Sequence, residues 1–194
     1  IETQPGAAQP GDGVLQVKGG DTVRITYGDL NTAAGKRNVD VVTSVRMVST
    51  AAGGFTDGAY REYTKGVFVG QPFFMRVRDL DADVSDNPDT LKVTLRTRYT
   101  VKREIDPDQR GVDLEEEHEE IRERSKMDVV LKETAPHSGL FVGSTELRVA
   151  EEEGASLPTG GGLAARQDDD IVLEYRDNAH MEGDEARDVV YRAR

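Results

Sequence analysis

The chain of 194 residues is acidic, with a formal net charge of −12, 32% charged and 36% hydrophobic residues, and no cysteine. The charge argues against nucleic acid as a partner, because phosphates require a basic surface, and it leaves many carboxylates for divalent cations. The lack of cysteine excludes a disulfide framework. No apolar stretch approaches the roughly 20 residues of a membrane-spanning helix, so we expect no membrane insertion. The sequence starts at Ile1 without a signal peptide, so we expect an excised or mature piece.

An internal repeat is the first feature along the chain. Residues 15–46 align without gaps to residues 163–194, an offset of 148 (163 − 15). Such internal repeats are typical of proteins built from arrays of similar modules. The sequence therefore predicts that residues 1–46 are closing strands of a preceding repeat and that residues 47–194 form one complete module with a charged insertion at 102–127. The identical pairs include Leu15 and Leu163, Asp21 and Asp169, Tyr27 and Tyr175, Asp29 and Asp177, and Arg46 and Arg194.

Alternation of apolar and polar residues predicts β-strands throughout the chain. Clusters of glycine, proline, aspartate and asparagine separate these segments and predict turns. Many short strands with one apolar face predict an all-β fold of antiparallel, immunoglobulin-like β-sandwich modules. The predicted strands cover residues 22–27, 74–78, 91–101, 128–132, 139–143 and 170–175.

The charged segment at 113–126 admits two interpretations. Its Glu and Arg residues, spaced three and four apart, favour a short helix. However, Leu114 and Ile121 are its only apolar residues, so a helix would have little to bury. The alternative is a projecting two-stranded β-arm spanning about 100–128, in which a basic strand pairs with an acidic return strand. We favour the arm.

Three sequence segments resemble the Ig-like repeats of very large bacterial surface proteins, including S-layer-like and fibre-forming ones. They are Val-Arg-Asp-Leu-Asp-Ala-Asp at 77–83, Lys-Glu-Thr-Ala-Pro-His-Ser-Gly-Leu-Phe-Val-Gly at 132–143, and Asp-Asp-Asp-Ile-Val-Leu-Glu-Tyr-Arg-Asp at 168–177. The resemblance covers most of 66–194 apart from the charged insertion. It implies an extracellular, cell-surface location, a structural or adhesive role, and no catalytic residues.

The loop at 79–89 is the richest in carboxylates. Alternating aspartates offer hard oxygen ligands of the kind that Ca²⁺ prefers. An EF-hand is excluded, because Val84 and Thr90 stand where that motif needs glycine and glutamate. Two interpretations remain: a looser Ca²⁺ site, or aspartates that cap turns and keep the loop soluble. The candidate ligands are Asp79, Asp81, Asp83, Asp86 and Asp89.

No pattern indicates catalysis, and we expect that the protein is not an enzyme. The histidines at 118, 137 and 180 lack metal-ligand spacing to one another. His137 beside Ser138 lacks the third group that a nucleophilic site needs. The leading hypothesis is a non-catalytic structural repeat that assembles end to end with neighbouring copies. The alternative is an extracellular binding module for a glycan or protein receptor.

Overall fold

The computed structural model describes residues 2–7, 9–102, 119–150, 161–182 and 185–194. This part of the chain folds into twelve β-strands and one 3-10 turn at Leu80–Ala82, so the all-β prediction is confirmed. The strands are β1 (Glu2–Pro5), β2 (Val14–Val17), β3 (Thr22–Asn31), β4 (Arg37–Arg46), β5 (Ala52–Thr56), β6 (Pro72–Arg78), β7 (Thr90–Lys102), β8 (Glu119–Glu133), β9 (Leu140–Val149), β10 (Leu163–Ala165), β11 (Asp170–Asp177) and β12 (Arg187–Ala193).

Strands β5 to β12 form one main sheet in the order β12-β11-β7-β8-β9-β6-β5. Its pairs are antiparallel, as predicted, except that β10 joins β9 in parallel. Strands β8 and β9 pair only at the end of β8, where Glu133 lies opposite Phe141. At the far edges, the Arg194 amide donates to the Lys65 carbonyl at 2.8 Å, and the Val67 amide donates to the Arg194 carbonyl at 3.3 Å. The main sheet therefore curls nearly into a barrel.

One apolar core lies inside the main sheet, because alternate residues of each strand point inward. Phe73 is buried while its neighbour Phe74 is only half-buried, as the alternation predicts. The rings of Phe55 and Phe73 lie 5.9 Å apart in a tilted arrangement. Strands on both sides of the short β8–β9 pairing supply residues to this one core. The fully buried side chains include Phe55, Phe141, Met75, Leu95, Leu131, Leu147, Leu163, Ile171 and Leu173.

The charged segment is a strand where the structure describes it. Residues 119–126 lie within β8, which pairs with β7 from Thr90↔Lys132 to Lys102↔Glu119. This excludes the helix for residues 119–126, and residues 113–118 lie outside the described part. Glu123 lies opposite Arg98 in the ladder and also makes an ion pair with Arg96, and Glu119 lies opposite Lys102. Cross-strand pairing therefore outweighs the helix-forming composition.

A register shift in the β7–β8 ladder turns one arginine inward. Thr97 pairs with Ser125 but Arg98 pairs with Glu123, which leaves Arg124 as the extra residue of a bulge. The Arg124 side chain makes two hydrogen bonds to the buried Asp169 carboxylate, at 2.6 and 3.0 Å. Its guanidinium also stacks 4.3 Å from the centre of the Tyr99 ring. This arrangement ties β8 to the turn that precedes β11.

The N-terminal segment, residues 2–46, repeats the strand pairing of the end of the main sheet. Strands β3 and β4 pair with the register of β11 and β12 at the same offset of 148: Val23↔Val45 matches Ile171↔Ala193. The parallel pair β1–β2 matches β9–β10, since Leu15 faces Thr3 as Leu163 faces Leu147. The turn before β3 matches the turn before β11, because the Lys18 amide donates to Asp21 as the Arg166 amide donates to Asp169.

Burial separates these two copies. Ile25 and Tyr27 on β3 are 52% and 64% exposed, whereas Leu173 and Tyr175, their counterparts on β11, are 0% and 8% exposed. Within the described residues, β3 pairs only with β4, so the edge of β3 that corresponds to the β7-facing edge of β11 has no neighbour. We call β3 and β4 the N-terminal hairpin. An isolated two-stranded hairpin is marginally stable at best, so this hairpin is an incomplete sheet.

Candidate metal centre

The loop after β6 distributes its aspartates to two places at one end of the main sheet. Asp79 caps the 3-10 turn by accepting a hydrogen bond from the Asp81 amide. At this turn, carboxylate oxygens of Asp79 and Asp81 lie close to one of Asp177, at the end of β11. Further on, Asp83 and Asp89 meet Glu133, at the end of β8. The five predicted ligands therefore do not surround one point.

The first carboxylate cluster is Asp79, Asp81 and Asp177, and each oxygen of its two buried members accepts at least one hydrogen bond. Asp79 accepts from the Ser49 hydroxyl at 2.9 Å and from the Tyr175 hydroxyl at 2.6 Å. Asp177 accepts from the Ala51 amide at 3.0 Å and from the Ala179 amide at 3.3 Å. The cluster thus joins the linker before β5 to β11 and to the turn that follows it.

Two further groups balance the charge of the first cluster. The Arg187 Nε lies 3.8 Å from an Asp177 oxygen. Burial, and then a hydrogen bond with Asp79, raises the pKa of Asp81 to about 7. Burial and the bond to Asp79 also raise the pKa of the Tyr175 hydroxyl, which keeps it a donor. A proton and an arginine therefore compensate these three carboxylates near neutral pH.

Ionisation of Asp81 is expected to destabilise the folded chain as pH rises through 7. Its folded pKa of about 7 exceeds the ordinary 3.8, so between these values the folded chain holds a proton that the unfolded chain has lost. Stability therefore falls with rising pH across this window, and Asp81→Asn should flatten the fall. Urea midpoints in chelator from about pH 5 to about pH 8 measure it. Asp86→Asn is the control, and an unchanged slope in Asp81→Asn would contradict the assignment.

The second carboxylate cluster is Asp83, Asp89 and Glu133, each of which offers one oxygen within 4.8 Å of the others. Main-chain amides hold Asp89, which accepts from Val84 at 2.8 Å and from Ser85 at 2.9 Å. Glu133 accepts from the Asp89 amide at 2.9 Å and from the Gly139 amide at 2.8 Å. Asp83 is fully buried.

A histidine and a lysine lie near the second cluster. The His137 Nδ1 lies 3.2 Å from an Asp83 oxygen, and its Nε2 lies 3.5 Å from Asp86. His137 occupies a turn with a left-handed φ of 61°. Burial raises the pKa of Asp83, and the hydrogen bond with His137 opposes that rise. Asp86 is exposed and joins neither cluster; instead it pairs with Lys18 at 2.5 Å, which lowers the pKa of Asp86.

Sequence reasoning named four of the six clustered carboxylates and missed Glu133 and Asp177. The sequence offered only indirect signals for these two residues. Asp177 is the repeat counterpart of Asp29, and Glu133 belongs to the segment at 132–143 that resembles Ig-like repeats. Each comes from a strand distant in sequence, so no local spacing could place it in the loop's neighbourhood.

The N-terminal segment meets the main sheet at this loop. The Gly19 amide donates to the Asp83 carbonyl at 2.7 Å, beside the Lys18–Asp86 ion pair. A side chain at Gly19 would not fit, since its Cβ would lie 1.8 Å from the Asp81 carbonyl oxygen. A cleft of about 270 Å³ opens here, lined by residues that include Arg46, Asp81 and Tyr175. The candidate metal centre therefore lies at a junction between two parts of the chain.

Comparison with protein families finds no family model that matches this chain, and comparison with curated proteins finds no significant match. Among the described residues, no helix is both long and apolar enough to cross a membrane.

Proposed function

We propose that this chain is a non-catalytic structural part of a large secreted surface or fibre protein, built from Ig-like sandwich units joined end to end. In this proposal residues 1–46 close one unit and residues 47–194 form the next. The observation that carries it is the repeated pairing register of residues 2–46, combined with the exposure of the apolar face that the second copy buries. A repeat that cannot bury its own apolar face needs a neighbour.

The neighbour that we propose is a strand of the β7 type from another unit. In the main sheet, β7 pairs with β11, with Leu95 opposite Leu173. The same edge of β3 is available in the N-terminal hairpin, with Ile25 at the position of Leu173. Addition of a strand to this edge would satisfy its amides and carbonyls and would cover Ile25 and Tyr27.

A tandem chain tests this proposal directly. A duplicate of residues 47–145 would be placed before Glu2, because Glu2 and Glu146 hold equivalent positions in the two parallel pairs. In the tandem chain the duplicated strands lead into β1–β4, just as β5–β9 lead into β10–β12 in the main sheet. We expect amides of β3 that exchange freely in the original chain to become protected, and Ile25 to become part of a core. Hydrogen exchange of β3 in the two chains measures this.

The matched variant is the tandem chain with Ile25→Glu. The control is the tandem chain with Val130→Glu in the duplicated segment, at an exposed position of β8. Ile25→Glu should unfold only the added unit, whereas Val130→Glu should leave both units folded. Unprotected β3 amides in the tandem chain would contradict the proposal. A monomer that binds a glycan or a protein receptor would then favour the alternative, an extracellular binding module.

A further inference from the structure

The two carboxylate clusters differ in how their charges are compensated. In the first cluster, donors occupy both oxygens of each buried carboxylate, and Arg187 approaches Asp177. In the second cluster, the Asp83 Oδ1 is buried and has no hydrogen-bond partner among the described residues. Water cannot reach it from bulk, because the Asp83 side chain is 0% exposed. A buried carboxylate oxygen without a donor is costly, so this oxygen calls for a positively charged ligand.

The geometry of the second cluster fits a hard divalent cation. Its three ligand oxygens lie within 4.8 Å of one another. Two ligands of one Ca²⁺ ion, each about 2.4 Å from it, lie at most about 4.8 Å apart, so these oxygens are close enough together to share one ion. All three groups are carboxylates, which favour Ca²⁺ over softer metals.

The neighbouring hydrogen bonds position these ligands without consuming them. The amides of Val84 and Ser85 fix the Asp89 carboxylate, and the amide of Gly139 fixes Glu133. The Ser85 hydroxyl also donates to Asp89 at 3.0 Å, and the Ser138 hydroxyl donates to Glu133 at 3.2 Å. Each carboxylate thus accepts three hydrogen bonds, which leaves one lone pair, on Asp89 Oδ1 and on Glu133 Oε2, for a cation. Outer donors of this kind orient the ligands of protein metal sites.

We propose that Asp83, Asp89 and Glu133 form a Ca²⁺ site that fixes the loop at 79–89 against the end of β8. The ion balances two of the three negative charges. Because the carbonyl of Asp83 accepts from the Gly19 amide, the same ion stiffens the surface on which the N-terminal segment rests. The site lies within residues 83–133, so the proposal does not depend on assembly with other units.

Calorimetric titration of the chelator-treated chain with CaCl₂ tests the site, together with thermal unfolding in CaCl₂ and in chelator. We expect one ion per chain and a rise in Tm that grows with Ca²⁺ concentration. Mg²⁺ should bind at least about tenfold more weakly, because it demands near-ideal octahedral geometry, gives up its water reluctantly and is usually held by only one or two carboxylates. No heat of binding and no Tm shift at millimolar Ca²⁺ would overturn the proposal.

Asp83→Asn is the decisive variant. It removes one charge while keeping the shape of the side chain, so it should abolish the Ca²⁺-dependent Tm shift without lowering Tm in chelator. Asp89→Asn, which is less buried, is the second variant and should also lose the shift. Asp81→Asn in the first cluster and Asp86→Asn on the exposed loop are controls that should retain it. Loss of the shift in a control, with retention in Asp83→Asn, would overturn the assignment.

Discussion

Replacement of Leu173 with alanine is expected to lower the free energy of unfolding by about 3 kcal/mol, within the range measured for buried leucines. Leu173 lies in the middle of β11 and is fully buried among core residues of the main sheet. Removal of its isobutyl group loses apolar burial and leaves a cavity that rigid neighbours only partly fill. Urea unfolding followed by far-UV circular dichroism measures the change.

The same change at Ile25, the repeat counterpart, is the matched control. Ile25 is 52% exposed, so Ile25→Ala should alter the stability of the original chain by less than about 0.5 kcal/mol. In the tandem chain of residues 47–145 and 2–194 the cost should rise to about that of a buried residue. A large cost at Ile25 in the original chain, independent of protein concentration, would show that the chain itself covers the N-terminal hairpin.

The all-β fold was predictable because its signal is local. Alternation at 91–101 predicted β7 almost to its ends, since every second residue from Leu91 to Thr97 is buried. The repeat also carried structural information, because positions at an offset of 148 pair with one register. Local patterns could do this since side-chain direction in a strand depends only on position along it.

Features that depend on distant contacts could not be predicted. The parallel β9–β10 pair joins residues such as Leu147 and Leu163, between which no turn signal dictates parallel pairing. The bulge at Arg124 depends on Asp169, which lies on a turn far along the chain. Nothing in the charge run at 113–126 distinguishes that inward arginine from its solvated neighbours.

The candidate metal centre was predicted in composition but not in geometry. The sequence placed five aspartates in one loop and left two interpretations, a looser Ca²⁺ site or aspartates that cap turns. The 3-10 turn at Leu80–Ala82 instead separates Asp79 and Asp81 from Asp83. Each group then completes its cluster with a carboxylate from another strand, Asp177 or Glu133, so the number of ligands at each place follows from tertiary structure alone.

Asp169→Asn is expected to destabilise the chain by about 3 to 5 kcal/mol, because it removes the charge of one partner from a buried ion pair that two hydrogen bonds join. The side chains of Arg124 and Asp169 are only 9% and 3% exposed, and they share two hydrogen bonds. Asparagine can still accept the bond that the Arg166 amide donates, so the turn before β11 keeps its local geometry. The loss therefore reports on the buried charge pair.

Two controls separate this effect from that of removing any aspartate. Asp188→Asn breaks the exposed ion pair with Arg176 and should cost at most about 1 kcal/mol. Asp21→Asn changes the repeat counterpart of Asp169, which accepts the same turn bond from Lys18 but is exposed, and it should cost little. Urea unfolding of the three variants at one pH gives the comparison. Equal losses at Asp169 and Asp21 would mean that the turn, and not the pair with Arg124, supplies the stability. A much larger loss at Asp169 assigns the stability to its ion pair with Arg124.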